Sequence, residues 1–259
     1  MSEMGPARLT VGAGDEAREI AVLRRAGGAP GVFWLGGYNS DMTGSKAAAL
    51  DAFAAGRDLA MARFDYSGHG TSGGKFEDGT ISRWLEEARV IFDRFTSGPQ
   101  IVIGSSMGGW LALLLAEALR AAGDARIAGL VLIAPAVDMT RMMTDEMTAA
   151  ERKRLAKDGS VRVASDYAAD GYLIMRSLID DGEKHLFGAR LIETGCPVHI
   201  LQGLADTDVP ARTATALVSR LASDDVVLTL VKDGDHRLSR PEDLERLCTA
   251  VEGLIAEGG

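Results

Sequence analysis

The sequence predicts one α/β domain, in which a mostly parallel central sheet is flanked by helices on both faces. Short apolar runs rich in aliphatic and β-branched residues alternate along the chain with segments whose apolar residues recur at helical spacing. Most of these runs have no polar side, as expected of parallel strands that are covered on both faces. A chain of 259 residues is also long enough for one such sheet to bury a large core.

The apolar runs are predicted as strands because each is short, aliphatic and bounded by turn-forming or polar residues. In the sequence they are followed by segments of a different periodicity, which separates one strand from the next. The predicted strands span residues 20–23, 32–35, 59–63, 101–103, 130–133, 198–201 and 226–231.

Longer segments between the strands are predicted as helices from the spacing of their apolar residues. They span residues 45–55, 80–95, 107–122, 211–222 and 241–256. Two of them have start signals, since the hydroxyl of Thr80 can cap a helix and Pro241 suits a first helical turn.

A segment of about fifty residues interrupts this alternation before the strand at residues 198–201. It contains charged residues, methionines and helical stretches. We therefore predict a core formed by residues 1–137 and 192–259, with residues 138–191 inserted as a helical cap or lid.

A Gly-x-Ser-x-Gly string at residues 104–108 predicts a nucleophile at Ser106. The string alone is weak, because chance produces one in about a fifth of chains with this glycine content. Its context is informative: it follows the apolar run at residues 101–103 and begins an apolar helix. Gly104 and Gly108 would let strand and helix approach each other while the Ser106 hydroxyl projects. The adjacent Ser105 occupies the wrong position in the string.

A serine hydroxyl needs a base near neutral pH, and His236 is the predicted base. It directly follows the last predicted strand, at residues 226–231, as the chain order nucleophile, acid, histidine requires. The other histidines fit less well. His69 comes too early, His185 falls in the insertion, and His199 lies within a strand, where a core role is the simpler reading.

Asp206 is the predicted acid, because it follows the strand at residues 198–201 at the next turn. Asp208 lies two residues further on, where capping of the next helix is the alternative role. Asp233 and Asp235 share the loop of His236, so either remains a possible substitute.

Acyl transfer also needs two backbone N–H donors for the developing oxyanion. Met107 follows the nucleophile and supplies the first by position. The loop at residues 35–40 follows the strand at residues 32–35, and its glycines allow close approach, which makes the N–H of Tyr38 the second predicted donor. An ordinary tight turn is the alternative interpretation of this loop.

Composition limits the partners and the compartment. The net charge of −9 and the absence of a basic stripe argue against nucleic acid as a partner. Cys196 and Cys248 are the two cysteines, too few for a disulfide framework or a zinc site, which favours a reducing compartment. No apolar stretch is long enough for stable membrane insertion, and no pattern indicates a metal or a cofactor. The oligomeric state is not predicted.

Five strings in the sequence carry a resemblance to a known family. They are GY with MTGSKA (residues 37–38 and 42–47), RFDYSGHGTS (63–72), GPQ through GSSMGGWL (98–111), GLADTDVP (203–210) and DHR (235–237). They resemble the α/β-hydrolase superfamily, and within it the family that contains a mitochondrial palmitoyl-protein thioesterase and mycophenolic acid acyl-glucuronide esterase. The resemblance implies the α/β-hydrolase fold, an acyl ester or thioester substrate, and Ser106, Asp206 and His236 as nucleophile, acid and base. Because the N-terminus shows no targeting segment, the sequence predicts a cytoplasmic protein.

The predicted activity is a two-step acyl transfer that passes through an acyl-enzyme. Met139, Met142 and Met143, with Met147 further along, are predicted to form an adaptable apolar wall for a small-molecule or acylated substrate. Packing of a cap helix on the core is the alternative role of these methionines. An acyltransferase, a haloperoxidase-like enzyme and a non-catalytic binding protein of the same fold are the alternative functions.

Overall fold

The structure is a computed structural model that describes residues 6–165, 168–222 and 225–257. Its strands form one large sheet and one small sheet. They are β1 (Ala7–Val11), β2 (Arg18–Arg25), β3 (Gly28–Leu35), β4 (Leu59–Phe64), β5 (Gln100–Ser105), β6 (Ile127–Ile133), β7 (Ser160–Ser165), β8 (Ala168–Met175), β9 (Val198–Gly203) and β10 (Val226–Val231).

The large sheet has eight strands within the described residues, in the order β1-β2-β4-β3-β5-β6-β9-β10. The pairs β1–β2 and β2–β4 are antiparallel, and every later pair is parallel. The carboxyl ends of β3, β5, β6, β9 and β10 therefore meet at one edge, which is where a doubly covered parallel sheet holds its ligands. The mostly parallel α/β-hydrolase fold predicted from the sequence is confirmed.

Helices cover both faces of this sheet. They are α1 (Ser45–Gly56), α2 (Ile81–Phe95), α3 (Met107–Ala121), α4 (Met139–Glu146), α5 (Ala149–Asp158), α6 (Arg176–Gly182), α7 (Ala211–Val218) and α8 (Pro241–Glu257). The helices α1 and α8 pack on one face, while α2, α3 and α7 pack on the other.

Alternation along the central strands explains why both faces are covered. In β5, Ile101 and Ile103 point into the core under α1 and α8, whereas Val102 points into the core under α2 and α3. All three side chains are fully buried. A strand that is apolar on both sides needs a helical layer on each, and this is the physical basis of the prediction made from uniformly apolar runs.

Two helices have the start signals predicted from the sequence, and a third helix does not. The Thr80 hydroxyl accepts a hydrogen bond from the Arg83 N–H at the start of α2, and Pro241 is the first residue of α8. The helix α7 begins after Pro210, which has no side chain that can cap, so capping by Asp208 is not observed. The strand β1 was not predicted, because it is a short, mostly exposed edge strand.

Residues between β6 and β9, the segment predicted to be a cap, contain a small hydrophobic core of their own. This core contains Met147, Leu155, Val161, Ile174 and Ile179. The cap holds α4, α5 and α6, as a helical insertion should, but also the antiparallel pair β7–β8. The division into core and inserted cap remains a prediction.

Candidate active site

Ser106 is the single residue that connects β5 to α3, and its backbone conformation is one that few residues adopt. Its φ is 54° and its ψ is −118°. The turn is tight enough that a Cβ on Gly104 would lie 2.2 Å from the Gly108 carbonyl oxygen, and a Cβ on Gly108 would lie 2.1 Å from the Leu35 carbonyl oxygen. Glycine is therefore a steric requirement at both positions, and the strain at Ser106 is of the kind found at functional sites.

His236 lies between Ser106 and Asp206. Its Nε2 is 3.0 Å from the Ser106 Oγ, and its Nδ1 is 2.9 Å from the Asp206 Oδ2. An ionised carboxylate only accepts hydrogen bonds, so the Nδ1–H donates to Asp206 and the bare Nε2 accepts from the serine hydroxyl. The structure thus brings the three predicted residues together in an arrangement that can remove the serine proton.

The loop after β9 holds the Asp206 carboxylate from several directions. Its Oδ1 accepts from the backbone N–H groups of Asp208 and Val209 at 3.0 and 2.8 Å, and its Oδ2 accepts from the Gln202 Nε2 at 3.1 Å. The Asp206 side chain is completely buried, while that of His236 is 14% exposed. These hydrogen bonds hold the carboxylate in one orientation toward His236.

The loops after β9 and β10 are joined through their backbones. The Ala205 N–H donates to the Gly234 carbonyl at 2.9 Å. Gly203 approaches the same carbonyl so closely that a Cβ there would lie 2.2 Å from its oxygen. The separation of Asp206 from His236 is therefore set by the pairing of two neighbouring strands.

The other carboxylates considered from the sequence have different contacts. Asp233 pairs with Arg240 at 2.7 Å on the surface. Asp235 accepts a hydrogen bond from the Leu238 N–H at 2.9 Å and stabilises the loop of His236. Asp208 lines the cavity described below. Asp206 is thus the carboxylate that contacts the imidazole.

The start of α3 and the backbone of Gly37 both lie beside Ser106. Met107 is the first residue of α3, so its N–H has no acceptor within the helix. A Cβ on Gly37 would lie 3.4 Å from the Ser106 Cβ, which places the backbone of Gly37 against Ser106. The Gly37 carbonyl accepts from the hydroxyl and the N–H of Ser40, at 2.8 and 3.3 Å. A trans peptide directs its N–H away from its carbonyl, so these bonds also fix the direction of the Tyr38 N–H.

A cavity of about 530 Å³ opens onto Ser106 and His236. Met139, Met142 and Met143 line it, as the sequence analysis predicts for a substrate wall, and they also pack against the core beneath. Met147 is buried in the core of the cap instead. Further apolar lining comes from the β7–β8 pair, through Val163, Ala164, Tyr172 and Ile174. The polar part of the lining includes Asn39, Asp41, Ser45, Lys46, Glu146, Thr207, Asp208, Arg237 and Ser239.

Several residues of the site were not found from the sequence. The β7–β8 pair carried a signal, the alternation at Val161 and Val163, which is typical of a half-buried strand. Lys46 had no such signal in the local sequence, because a lysine in the first turn of a helix is indistinguishable from an ordinary surface residue. Its ammonium group contacts the Arg237 carbonyl and lies 3.3 Å from the Ser239 Oγ. Burial lowers the pKa of Lys46 to about 8.

The remaining histidines are held away from the nucleophile. In β9, His199 Nε2 lies 2.9 Å from the Thr229 Oγ1, and in the cap His185 Nε2 lies 2.7 Å from the Ser82 Oγ. His69 is buried behind the loop that contains Tyr38. His236 is thus the histidine that contacts Ser106.

Within residues 6–165, 168–222 and 225–257, no cluster of three or more His, Cys, Asp and Glu side chains has the geometry to bind a metal ion. In the same part of the chain, no helix combines the length and the apolar composition needed to cross a membrane.

Comparisons with known proteins give the chain a family context. The family described as Serine aminopeptidase, S33, matches residues 32–169. The mitochondrial palmitoyl-protein thioesterase ABHD10 of Bos taurus is 35% identical over 237 residues, which are 91% of this chain and 76% of the relative. The structure of α/β-hydrolase domain-containing protein 10 from mouse has 32% identity, covers 98% of this chain and 100% of its own, and superposes with a TM-score of 0.88. A crystal structure of an Agrobacterium vitis S4 protein has 50% identity, covers 96% and 98%, and has a TM-score of 0.93.

These comparisons correct the predicted location. The curated relatives are mitochondrial by name, so the cytoplasmic location predicted from the sequence is wrong. The prediction rested on the lack of a targeting pattern at the N-terminus and on two supporting properties, the cysteine content and the hydropathy. Those properties report on redox chemistry and on membrane insertion, and neither distinguishes one reducing aqueous compartment from another.

Proposed function

Because the chain belongs to the α/β-hydrolase family described as Serine aminopeptidase, S33, and is a hydrolase of the ester or thioester class, we propose that Ser106, His236 and Asp206 are its catalytic triad. The family match and the similar relatives confirm the resemblance that the sequence strings carried. One observation carries the proposal: His236 bridges Ser106 and Asp206 at 3.0 and 2.9 Å beside a cavity of about 530 Å³.

The proposed reaction is an acyl transfer in two steps. As the Ser106 Oγ attacks the substrate carbonyl, His236 Nε2 takes the hydroxyl proton, and the N–H groups of Tyr38 and Met107 bind the oxyanion. The imidazolium, stabilised by Asp206, then donates its proton to the departing alcohol or thiol. Water attacks the acyl-enzyme with His236 again as the base, and the carboxylic acid leaves.

Two groups of lining residues, one apolar and one polar, support an assignment of the acyl and leaving groups. Met139, Met142 and Met143 form a deformable apolar wall that suits an acyl chain, since methionine adapts to irregular shapes. The wall that contains Lys46 and Arg237 is polar and suits the leaving group. We propose an acyl ester or acyl thioester as substrate, with the palmitoyl thioesters of the relatives' name and acyl glucuronides as candidates.

Replacement of the nucleophile is the first test. We expect Ser106→Ala to lower kcat on p-nitrophenyl esters and on acyl-CoA by about 10⁴-fold or more, because the attacking oxygen is removed. Ser105→Ala, one residue earlier, is the matched control and should keep nearly the parental rate. A Ser106→Ala protein that folds and keeps the parental rate would falsify the proposal. A panel of esters, thioesters and acyl glucuronides, compared by kcat/KM, then separates the candidate substrates.

Replacement of the acid tests the second member of the triad. Asp206→Asn preserves the shape of the side chain but cannot stabilise an imidazolium, so we expect kcat to fall by about 10²- to 10⁴-fold. Asp233→Asn removes a carboxylate from the loop of His236 without touching the imidazole and serves as the control. Equal losses in the two variants would count against Asp206 as the acid.

A further inference from the structure

His69 occupies a buried position directly behind the loop of Tyr38. The residue is 5% exposed, and its ring packs among Tyr66, Phe76 and Trp84, with centroid distances of 5.8, 5.1 and 5.3 Å. A buried imidazole is costly unless its polar atoms are satisfied. Both nitrogens of this ring have partners, and the partners lie in two different loops.

The Nε2 of His69 accepts a hydrogen bond from the backbone N–H of Asn39 at 3.1 Å, and the Nδ1 donates to the Ser67 carbonyl at 3.2 Å. The carbonyl can only accept, so the proton is on Nδ1 and Nε2 is the bare nitrogen. Burial lowers the pKa of His69 and keeps the ring neutral. A protonated ring would have no acceptor for the Asn39 N–H.

Asn39 is the residue that follows Tyr38 and has a φ of 59°, a left-handed conformation that non-glycine residues adopt in only a few per cent of cases, asparagine more readily than most. A backbone in this region needs outside support to persist. The hydrogen bond to His69 supplies it on one side of Tyr38. On the other side, the Gly37 carbonyl is held by Ser40. The peptide that would donate to the oxyanion is thus supported on both sides.

A buried ion pair supports the other end of this chain of contacts. The Ser67 N–H donates to the Glu87 Oε2 at 2.9 Å, and the Glu87 Oε1 accepts from the Arg18 Nε at 2.7 Å. The side chains of Arg18 and Glu87 are 3% and 0% exposed. The Ser67 carbonyl also accepts from the Trp84 indole at 3.3 Å. The contacts therefore run without interruption from Arg18 in β2 to the loop of Tyr38.

We propose that His69 is a positioning residue for the oxyanion hole, which it holds in shape through the Asn39 N–H, with Arg18 and Glu87 as its fixed support. The inference rests on the proposed acyl transfer, since it assigns a role to the Tyr38 N–H. His69 does not touch the substrate. It acts on the transition state because a displaced oxyanion donor makes a smaller electrostatic contribution, and a misplacement of about 1 Å can cost about 10²-fold in rate.

Paired substitutions separate this role from a general contribution to folding. His69→Gln places an amide oxygen near the position of Nε2 and can still accept from Asn39. His69→Asn is one methylene shorter and cannot reach it, and His69→Phe keeps the ring without an acceptor. We expect kcat to fall about 10- to 100-fold in the Asn and Phe variants with KM changed less than about threefold, and to stay within about fivefold of the parent in the Gln variant.

A second measurement addresses the oxyanion hole directly. An alkyl boronic acid forms a tetrahedral adduct with the nucleophile and places an oxygen in the hole. Its inhibition constant should rise in the Asn and Phe variants by the factor by which kcat/KM falls. His199→Gln, at a histidine in β9 outside the site, should leave both values unchanged.

Three outcomes would overturn the inference: parental kcat in the Asn variant, equal losses in the Asn and Gln variants, or an unchanged boronic acid inhibition constant. If the Phe variant does not fold, the comparison of Asn with Gln still decides. Failure of the triad itself would be seen elsewhere, as parental activity of Ser106→Ala. The two failures are therefore distinguishable.

Discussion

At the scale of single residues, the position of Lys46 is unfavourable for a charged side chain and lowers the stability of the fold. It lies in the first turn of α1, where the helix dipole disfavours a cation, and its ammonium group contacts the Arg237 carbonyl and Ser239 beside the cavity. Burial lowers its pKa to about 8. A cation placed at such a cost favours a role in the binding of a ligand over a role in stability.

The lowered pKa of Lys46 predicts a pH-dependent contribution to stability. Between pH 8 and the ordinary lysine pKa of about 10.4, the unfolded chain binds the proton more tightly than the folded chain, so this contribution rises with pH. Relative to Lys46→Met, the parent's free energy of unfolding should therefore rise by about 2 kcal/mol from about pH 7.5 to pH 10. Urea denaturation at both pH values measures it, with Lys75→Met at an exposed lysine as the control. A difference that does not change with pH would contradict the prediction.

At the scale of elements, the segment between β6 and β9 is in direct contact with the loop of Tyr38. The Tyr38 hydroxyl donates to the Leu173 carbonyl of β8 at 2.5 Å, and its ring packs against Tyr172 at 5.9 Å. The cap also supplies α4, whose methionines line the cavity. The segment between β6 and β9 thus contacts the loop of Tyr38 and also lines the cavity.

The α4 wall predicts a change in acyl-chain preference. Met142 lines the cavity without belonging to the core of the cap, so Met142→Ala should enlarge the acyl site without unfolding the cap. We expect kcat/KM for a long-chain p-nitrophenyl ester to fall about tenfold, as lost apolar contact of about 1.4 kcal/mol implies, with little change for the acetate. Met147→Leu, at a cap methionine outside the cavity, is the control. Equal effects on both esters would argue against a Met142 contact with the acyl chain.

At the scale of the whole molecule, the antiparallel edge of the sheet is joined to the helical layer by a buried ion pair. Arg18 in β2 contacts Glu87 of α2 at 2.7 Å with both side chains out of solvent. Burial raises the pKa of Glu87, and its hydrogen bonds with Ser67 and Arg18 oppose that shift. Removing Arg18 would leave the buried Glu87 carboxylate without its charged partner, with the Ser67 N–H still donating to it.

This arrangement predicts a large loss of stability from one substitution. Arg18→Met should lower the free energy of unfolding by about 3 to 5 kcal/mol. The double variant Arg18→Met/Glu87→Gln should recover part of the loss, because no buried charge remains unpaired. Arg8→Met, which removes an exposed pair with Glu19 at 3.8 Å, should cost less than about 1 kcal/mol. A loss from Arg18→Met as small as that from Arg8→Met would refute the argument. Chemical denaturation of the four proteins provides the comparison.

The sequence by itself determined the features that depend on neighbours along the chain. The uniformly apolar strands, the cap of α2 at Thr80 and the strained turn at Ser106 each follow from residues a few positions apart. Local sterics and periodicity act at that range, so their patterns can be read without a structure.

The tertiary structure decided which distant groups meet. Asp206 and His236 are 30 residues apart, and His236 and Ser106 are 130 apart, so their contacts depend on the order of strands in the sheet. Four carboxylates were candidates from the sequence, and strand pairing selects Asp206 as the contact of the imidazole. The sequence analysis excluded His69 as the base because it precedes Ser106 in the chain. In the structure it accepts a hydrogen bond from Asn39, next to Tyr38. Contacts between loops are set by the packing of whole elements, and no local pattern encodes that packing.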